Sequence, residues 1–143
     1  MTRVLLPQIK LRLPGAPERL ETRNMGTLTI KSVGSPEEVR QFAAHGRADV
    51  VDLAGHAVLL GTFEPGWTWS EDVKPIAQTD SCQAPHLMYC ISGRMGIRMS
   101  DGTEGEIGPG DVASIAPGHD AWVIGDEPCI AVDFGGYEQY AKR

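Results

Sequence analysis

Residues 79–93 read Thr79-Asp80-Ser81-Cys82-Gln83-Ala84-Pro85-His86-Leu87-Met88-Tyr89-Cys90-Ile91-Ser92-Gly93 and say more about this protein than any other part of the chain. Three side chains of metal-binding type, Asp80, Cys82 and His86, precede a short apolar run. In extended backbone residues two apart point to one face, so these side chains share a face if the even spacing holds. A carboxylate, a thiol and an imidazole that converge favour a borderline-soft cation such as Zn²⁺.

The same residues stand at the spacing of a known motif. That motif runs glycine, five residues, His-x-His, three or four residues, glutamate, six residues and glycine. Six residues separate His86 from Gly93, which puts His86 at the glutamate position. Counting back further places Cys82 at the second histidine and Asp80 at the first. Other ligand types therefore fill three ligand positions of the motif.

A second motif follows downstream, in the run Gly110-Asp111-Val112-Ala113-Ser114-Ile115-Ala116-Pro117-Gly118. Its histidine position is Ala121, and His119 lies on the same strand face two residues earlier. The two motifs together resemble those of small single-domain bacterial cupins, in a subgroup without an assigned activity. The resemblance covers Thr62 to Phe134.

The resemblance implies an all-β fold, the cupin double-stranded β-helix or jelly-roll barrel. The sequence pattern agrees, because short apolar runs alternate with glycine and proline turns over the second half of the chain. The predicted strands are Asp49–Leu53, Ala57–Phe63, Trp67–Trp69, Leu87–Ile91, Met95–Ser100, Thr103–Ile107, Val112–Ile115, Ala121–Ile124 and Cys129–Phe134.

Two further elements are predicted before the barrel. Residues 1–24 form a basic arm of net charge +3, from five basic and two acidic residues, which leaves −9 for the single cupin domain at 25–143. Within the arm, Gln8–Leu13 alternates apolar and polar residues between two prolines, which predicts an edge strand that pairs with its own barrel or with a partner subunit. We therefore expect a homodimer. The run from Ser35 to Glu38 predicts one short helix that ends near Gly46.

Composition restricts the class of protein. The 143 residues suffice for one buried core, and 41% are hydrophobic. A net charge of −6 and a pI near 5.1 argue against nucleic acid as a partner. No run is long enough to cross a membrane, and three cysteines without scaffold spacing indicate reduced thiols. We expect a cytoplasmic protein.

The ligand positions predict a mononuclear metal site. Cys82, His86 and His119 would hold the ion, with Asp80 or water as the fourth ligand. Zn²⁺ is the first expectation, and Fe, Mn and Ni are the alternatives. An open position on Zn²⁺ permits hydrolase, isomerase or lyase chemistry on a small polar molecule, with Tyr89 or Asp80 as acid or base. An Fe-dependent dioxygenase is a further alternative.

A binding protein without chemistry is the competing hypothesis. A barrel that holds a small metabolite, with no metal or a structural one, would tolerate the altered ligand positions. The sequence leaves open whether the protein is an enzyme.

The pocket walls follow from strand alternation. If His86 points inward, Met88 and Cys90 do so too. Trp69 and Trp122 stand beside candidate ligands and are predicted to line the pocket, whereas Trp67 is predicted to pack in the core. A further pocket candidate is Arg98, which would hold a substrate carboxylate if its strand face is the inner one.

Overall fold

The structure is a computed structural model that describes residues 23–24, 27–135 and 140–143. Within these ranges the chain forms eleven strands and two short helices. The elements are β1 (Arg23–Asn24), β2 (Thr29–Ile30), β3 (Glu38–Gln41), β4 (Gly46–Leu53), β5 (His56–Phe63), α1 (Trp69–Asp72), α2 (Lys74–Ala77), β6 (His86–Ser92), β7 (Met95–Met99), β8 (Glu104–Ile107), β9 (Val112–Ile115), β10 (His119–Val123) and β11 (Cys129–Asp133).

Two antiparallel sheets build the body of the molecule. The larger sheet has the strand order β3-β4-β5-β11-β6-β9, and the smaller has the order β10-β7-β8. Buried residues of both sheets, such as Leu59 and Met88 on the larger and Ile97 and Ala121 on the smaller, belong to one hydrophobic core. Strands β1 and β2 form a separate antiparallel pair.

Strand β6 alternates as the sequence predicts. His86, Met88 and Cys90 are buried, whereas the residues between them face outward and are exposed. This period-two pattern is typical of a strand with one face on the core. The inward prediction for Met88 and Cys90 is confirmed.

The turn after β6 depends on the glycine of the first motif. Gly93 has φ +74°, which L side chains rarely adopt. A Cβ atom at this position would lie 2.1 Å from the carbonyl oxygen of Pro128. Glycine is therefore required here for the chain to turn from β6 into β7 against the start of β11.

The predicted helix from Ser35 to Gly46 is wrong. The segment turns at residues 33–35 and then forms β3, which pairs antiparallel with β4. The helix-start signal at Ser35 is local, and cross-strand pairing overrides it. The pairing also buries Arg40, whose Nη1 donates to the carbonyl oxygen of Tyr140 at 2.9 Å.

Helix α1 begins where a strand over Trp67–Trp69 is predicted, so that strand is also wrong. Thr68 is the N-cap, and its hydroxyl accepts a hydrogen bond from the backbone N–H of Glu71 at 3.1 Å. The order threonine, two residues, glutamate is a helix-start signature that was present in the sequence.

Trp67 packs in the core, as predicted. Its ring centroid lies 4.6 Å from that of Phe63 and 6.0 Å from that of Phe42. The three rings are buried together at one end of the larger sheet.

The predicted arm strand Gln8–Leu13 lies outside the described residues. In the part of the chain that the structure describes, neither helix has the length and hydropathy to span a membrane.

Candidate metal centre

Backbone pairing brings the two halves of the site together. Cys82 forms an isolated antiparallel bridge with His119, the first residue of β10. Its N–H donates to the His119 carbonyl at 2.8 Å, and its own carbonyl accepts from Gly118 at 2.7 Å. The two motifs, which lie far apart in sequence, therefore meet at these residues.

The side chains of Cys82, His86 and His119 converge in the interior. The Cys82 Sγ lies 3.6 Å from the His86 Nε2. One ligand atom from each of the three residues falls within 4.8 Å of the other two, and all three residues are buried. The imidazole centroids lie 5.1 Å apart with the rings edge to face. The predicted ligands thus form one cluster.

Each histidine is oriented by an acceptor on its other ring nitrogen. The His86 Nδ1 lies 2.5 Å from the Asp133 Oδ2, and the His119 Nδ1 lies 2.8 Å from the Ala116 carbonyl oxygen. Because both partners accept, each Nδ1 donates its proton outward and each Nε2 faces the cluster. Metal-binding histidines are oriented in this way by a carboxylate or a carbonyl.

Asp133 is itself held in place. Its Oδ1 accepts from the backbone N–H groups of Leu87 at 3.2 Å and Gly135 at 2.8 Å. In the strand register Asp133 is opposite Met88. The carboxylate is buried and has hydrogen bonds on both oxygen atoms.

The Cys82 thiolate and the protonated His86 imidazole each stabilise the charge on the other. Burial favours the neutral thiol, but hydrogen bonds from His119 and His86 outweigh burial and lower the pKa of Cys82 to about 7. Burial opposes a charge on His86 as well, yet its hydrogen bonds to Asp133 and Cys82 raise the pKa of His86 to about 9. A thiolate, which is the ligand form of cysteine, is therefore accessible near neutral pH.

The donor set suits a tetrahedral cation. Zn–S and Zn–N bonds of about 2.3 and about 2.1 Å at the tetrahedral angle place sulfur and nitrogen about 3.6 Å apart. The Cys82 Sγ and His86 Nε2 have this separation. Three protein ligands drawn from cysteine and histidine, with the fourth position open, are the arrangement of catalytic zinc sites.

A small cavity of about 30 Å³ lies beside the two imidazoles. Its walls are mainly apolar, and the predicted pocket residues Trp69 and Met88 both line it. Tyr140 also lines it, with its ring centroid 5.2 Å from that of His86. Burial raises the pKa of Tyr140 well above its usual value, so its hydroxyl is protonated.

The structure does not place the remaining predicted residues at the cluster. Asp80 is exposed and is outside the group of converging ligands, because the turn before Cys82 directs it to solvent. Tyr89 alternates outward on β6 and is 43% exposed. The predictions of these two residues as acid or base, and of Asp80 as a ligand, are therefore corrected.

Arg98 and Trp122 do not line the cavity either. Arg98 is exposed and its Nε bonds the Glu104 carboxylate at 2.5 Å. Its guanidinium lies 5.5 Å from the Trp122 ring, on the smaller sheet. Trp122 sits over Gly96, where a Cβ atom would lie 2.4 Å from the indole. Both side chains occupy the solvent face of that sheet, because strand alternation puts Ile97 and Ala121 inside.

Sequence reasoning missed Asp133 and Tyr140. The apolar alternation of β11 places Cys129, Ala131 and Asp133 on one buried face, so an aspartate at the end of this face was a signal that the sequence offered. Tyr140 had no such signal, because it reaches the site through its contact with Arg40.

Comparisons with known proteins bear on the fold. No protein-family model matches the sequence, and no curated protein matches it. The chain is similar to a solved Klebsiella pneumoniae protein with a double-stranded β-helix domain, at 25% identity and a TM-score of 0.52, over 76% of this chain and 90% of that one. It is also similar to KdgF from Halomonas, at 13% identity and a TM-score of 0.51, over 68% of this chain and 84% of that one.

These likenesses agree with the sheet topology. The chain has an all-β cupin fold, the double-stranded β-helix, which confirms the fold class that the two motifs predict. Such a fold hosts many chemistries, so the function has to be argued from the site.

Proposed function

We propose that the protein holds one divalent metal ion, Zn²⁺ in the first instance, between Cys82, His86 and His119. The observation that carries the proposal is the convergence of three buried ligand atoms, each within 4.8 Å of the others. A bound Zn²⁺ would supply a Lewis acid that polarises a carbonyl group or activates water on a small polar metabolite.

The surrounding residues would serve this chemistry in distinct ways. Asp133 would fix the His86 ring so that its Nε2 faces the ion. Tyr140, protonated and in contact with the His86 ring, would act as a hydrogen-bond donor or acid to a molecule bound beside the ion. The apolar walls would exclude water from the reaction.

A metal-free binding protein is the second candidate. One observation favours it: the Cys82, His86 and Asp133 side chains form a continuous hydrogen-bonded chain among themselves. A buried polar network that is satisfied by itself needs no further partner. In this alternative the protein binds a small molecule without catalysis.

Elemental analysis of protein purified without metal-affinity resin distinguishes the two candidates. The proposal expects near one equivalent of metal in the wild type and little in Cys82→Ser. His56→Ala is the matched control, because His56 is an exposed residue whose Nε2 contacts the Phe134 carbonyl oxygen. Equal and negligible metal in the wild type and both variants would favour the metal-free protein.

A further inference from the structure

A second and larger cavity adjoins the metal centre. Its volume is about 210 Å³, against about 30 Å³ for the inner cavity beside the imidazoles. Helices α1 and α2, the segment around Cys82 and residues 140–142 enclose it. We call it the outer cavity. Trp69 and Tyr140 line both cavities, and Cys82 borders the outer one.

The two cavities differ in size and therefore have room for different molecules. The inner cavity has room for about two water molecules, since each needs on the order of 10–15 Å³ of such space. Of these two cavities, the outer one therefore has the room for a metabolite of several heavy atoms. Because Cys82 stands on its wall, a molecule bound there lies next to a proposed metal ligand.

One residue on the wall of the outer cavity carries an unpaired donor. The Trp69 side chain is 2% exposed, and its Nε1 has no hydrogen-bond partner among the described residues. An indole N–H donates and cannot accept, so its partner has to carry an acceptor atom. A buried donor without a partner costs about 1–3 kcal/mol, which a suitable ligand would recover.

The remaining walls combine one cation with polar and apolar residues. Lys142 supplies an ammonium group, and the nearby Glu38 carboxylate is already bonded to Arg40 at 2.9 Å. Thr79 and Gln83 also line the cavity, and the side chain of each already donates to Ser81. Val73 and Ile76 supply aliphatic surface. A ligand that satisfies these walls has an anionic group with oxygen acceptors and a short apolar tail.

We propose that the outer cavity binds a small aliphatic carboxylate, whose oxygen atoms accept from the Lys142 ammonium group and the Trp69 indole N–H. The alkyl part packs against Val73 and Ile76. This inference rests on the proposed function, in that the carboxylate is the class of metabolite presented to the metal centre.

Calorimetric titration of the full chain with butyrate tests the inference, with 1-butanol and butylamine as uncharged and cationic probes of similar size. Each titration is done on metal-free and on zinc-treated protein. We expect butyrate to bind at one site and at least about tenfold more tightly than either other probe, in keeping with a charge-assisted hydrogen bond. Comparable binding of the three probes, or no butyrate binding, would overturn the inference.

Two variants with matched controls locate the site. Lys142→Gln is expected to weaken butyrate binding about tenfold, whereas Lys74→Gln, an exposed cation outside the cavity wall, leaves it unchanged. Trp69→Phe keeps a ring but loses the donor and should weaken butyrate binding. Trp67→Phe also loses an unpaired indole donor, but Trp67 lines the inner and not the outer cavity, so butyrate binding should be unchanged. Equal effects within either pair would contradict the assignment.

Zinc binding in the same samples separates this inference from the proposed function. Zinc bound at one equivalent without butyrate binding overturns the carboxylate site and leaves the metal centre standing. Butyrate binding that follows these expectations, in protein that takes up no zinc, contradicts the metal centre and supports a binding protein.

Discussion

Cys82 is placed between two imidazoles in a buried site, and this setting determines its chemistry. A buried cysteine is ordinarily an inert apolar side chain. Here the hydrogen bonds from His119 and His86 outweigh burial and lower the pKa of its thiol to about 7. The other two cysteines lie side by side elsewhere in the core, with their sulfur atoms 4.0 Å apart. Burial raises the pKa of Cys129 to about 12.

Thiolate absorbance of the metal-free protein is expected to rise as the pH passes through about 7. Because the pKa of Cys82 is lowered, its thiolate is present above this pH and lost below it, whereas Cys129 stays protonated across the neutral range. His86→Ala removes one of the lowering hydrogen bonds and should move the transition upward. A transition that is unchanged in Cys82→Ser would contradict the assignment.

Asp133→Asn should weaken Zn²⁺ binding by about 10–100-fold, which is typical of the loss of a carboxylate that orients a metal-binding histidine. Asparagine has the same shape as aspartate, so the backbone N–H groups of Leu87 and Gly135 still have an acceptor. Competition with a chromophoric chelator measures the effect. Asp52→Asn is the control, because Asp52 bonds only a turn N–H in the described structure. Equal affinities would show that Asp133 does not position His86.

The spacing of residues 79–93 was enough to place Cys82 and His86 in one candidate site. His119 followed from the second motif, although the motif histidine itself is replaced by Ala121. Asp133 and Tyr140 come from the last part of the chain and have no motif of their own. The alternation of β11 marks Asp133 as an inward residue, but its pairing with His86 and the contact of Tyr140 with Arg40 are long-range features that local patterns do not encode.

At the scale of elements, helix α1 positions a wall of both cavities. Trp69 is its first residue, and the preceding Thr68 caps the helix. The capping order Thr68 to Glu71 predicts this helix, whereas the similar signal at Ser35 precedes a strand. Two like signals have different outcomes because the segment after Ser35 has β4 as a pairing partner.

Thr68→Ala is expected to lower the free energy of unfolding by about 1 kcal/mol through loss of the N-cap hydrogen bond. Thr68→Ser keeps the hydroxyl and should retain most of the stability. Urea unfolding followed by tryptophan fluorescence compares the two. If serine and alanine destabilise equally, the hydroxyl of Thr68 does not cap α1.

At the scale of the whole molecule, the outer face of the larger sheet has an uncharged apolar patch. Leu87, Tyr89 and Ile91 on β6 are exposed, and Val112 on the edge strand β9 lies opposite Tyr89 and is 74% exposed. Patches of this kind mark interaction surfaces. A second copy is the occupant we propose, because two chains of net charge −6 can approach on a surface that carries no charge.

Light scattering after size exclusion should therefore report a homodimer. The double change Tyr89→Lys and Ile91→Lys places charge on the patch and is expected to give a monomer. Val39→Lys serves as the control, since Val39 is 45% exposed on β3 at the other edge of the same sheet. A monomeric wild type, or a dimer that survives the double change, would contradict this interface.

The absorption spectrum of the protein loaded with Co²⁺ in place of Zn²⁺ tests the metal centre most directly, because thiolate coordination and tetrahedral geometry both leave signatures in it. We predict an intense tetrahedral visible band with a sulfur-to-cobalt charge-transfer band in the wild type and in Cys90→Ser. Cys82→Ser should lose the charge-transfer band. A wild-type spectrum like that of hydrated cobalt, or a sulfur band that persists in Cys82→Ser, would contradict an ion held by Cys82, His86 and His119.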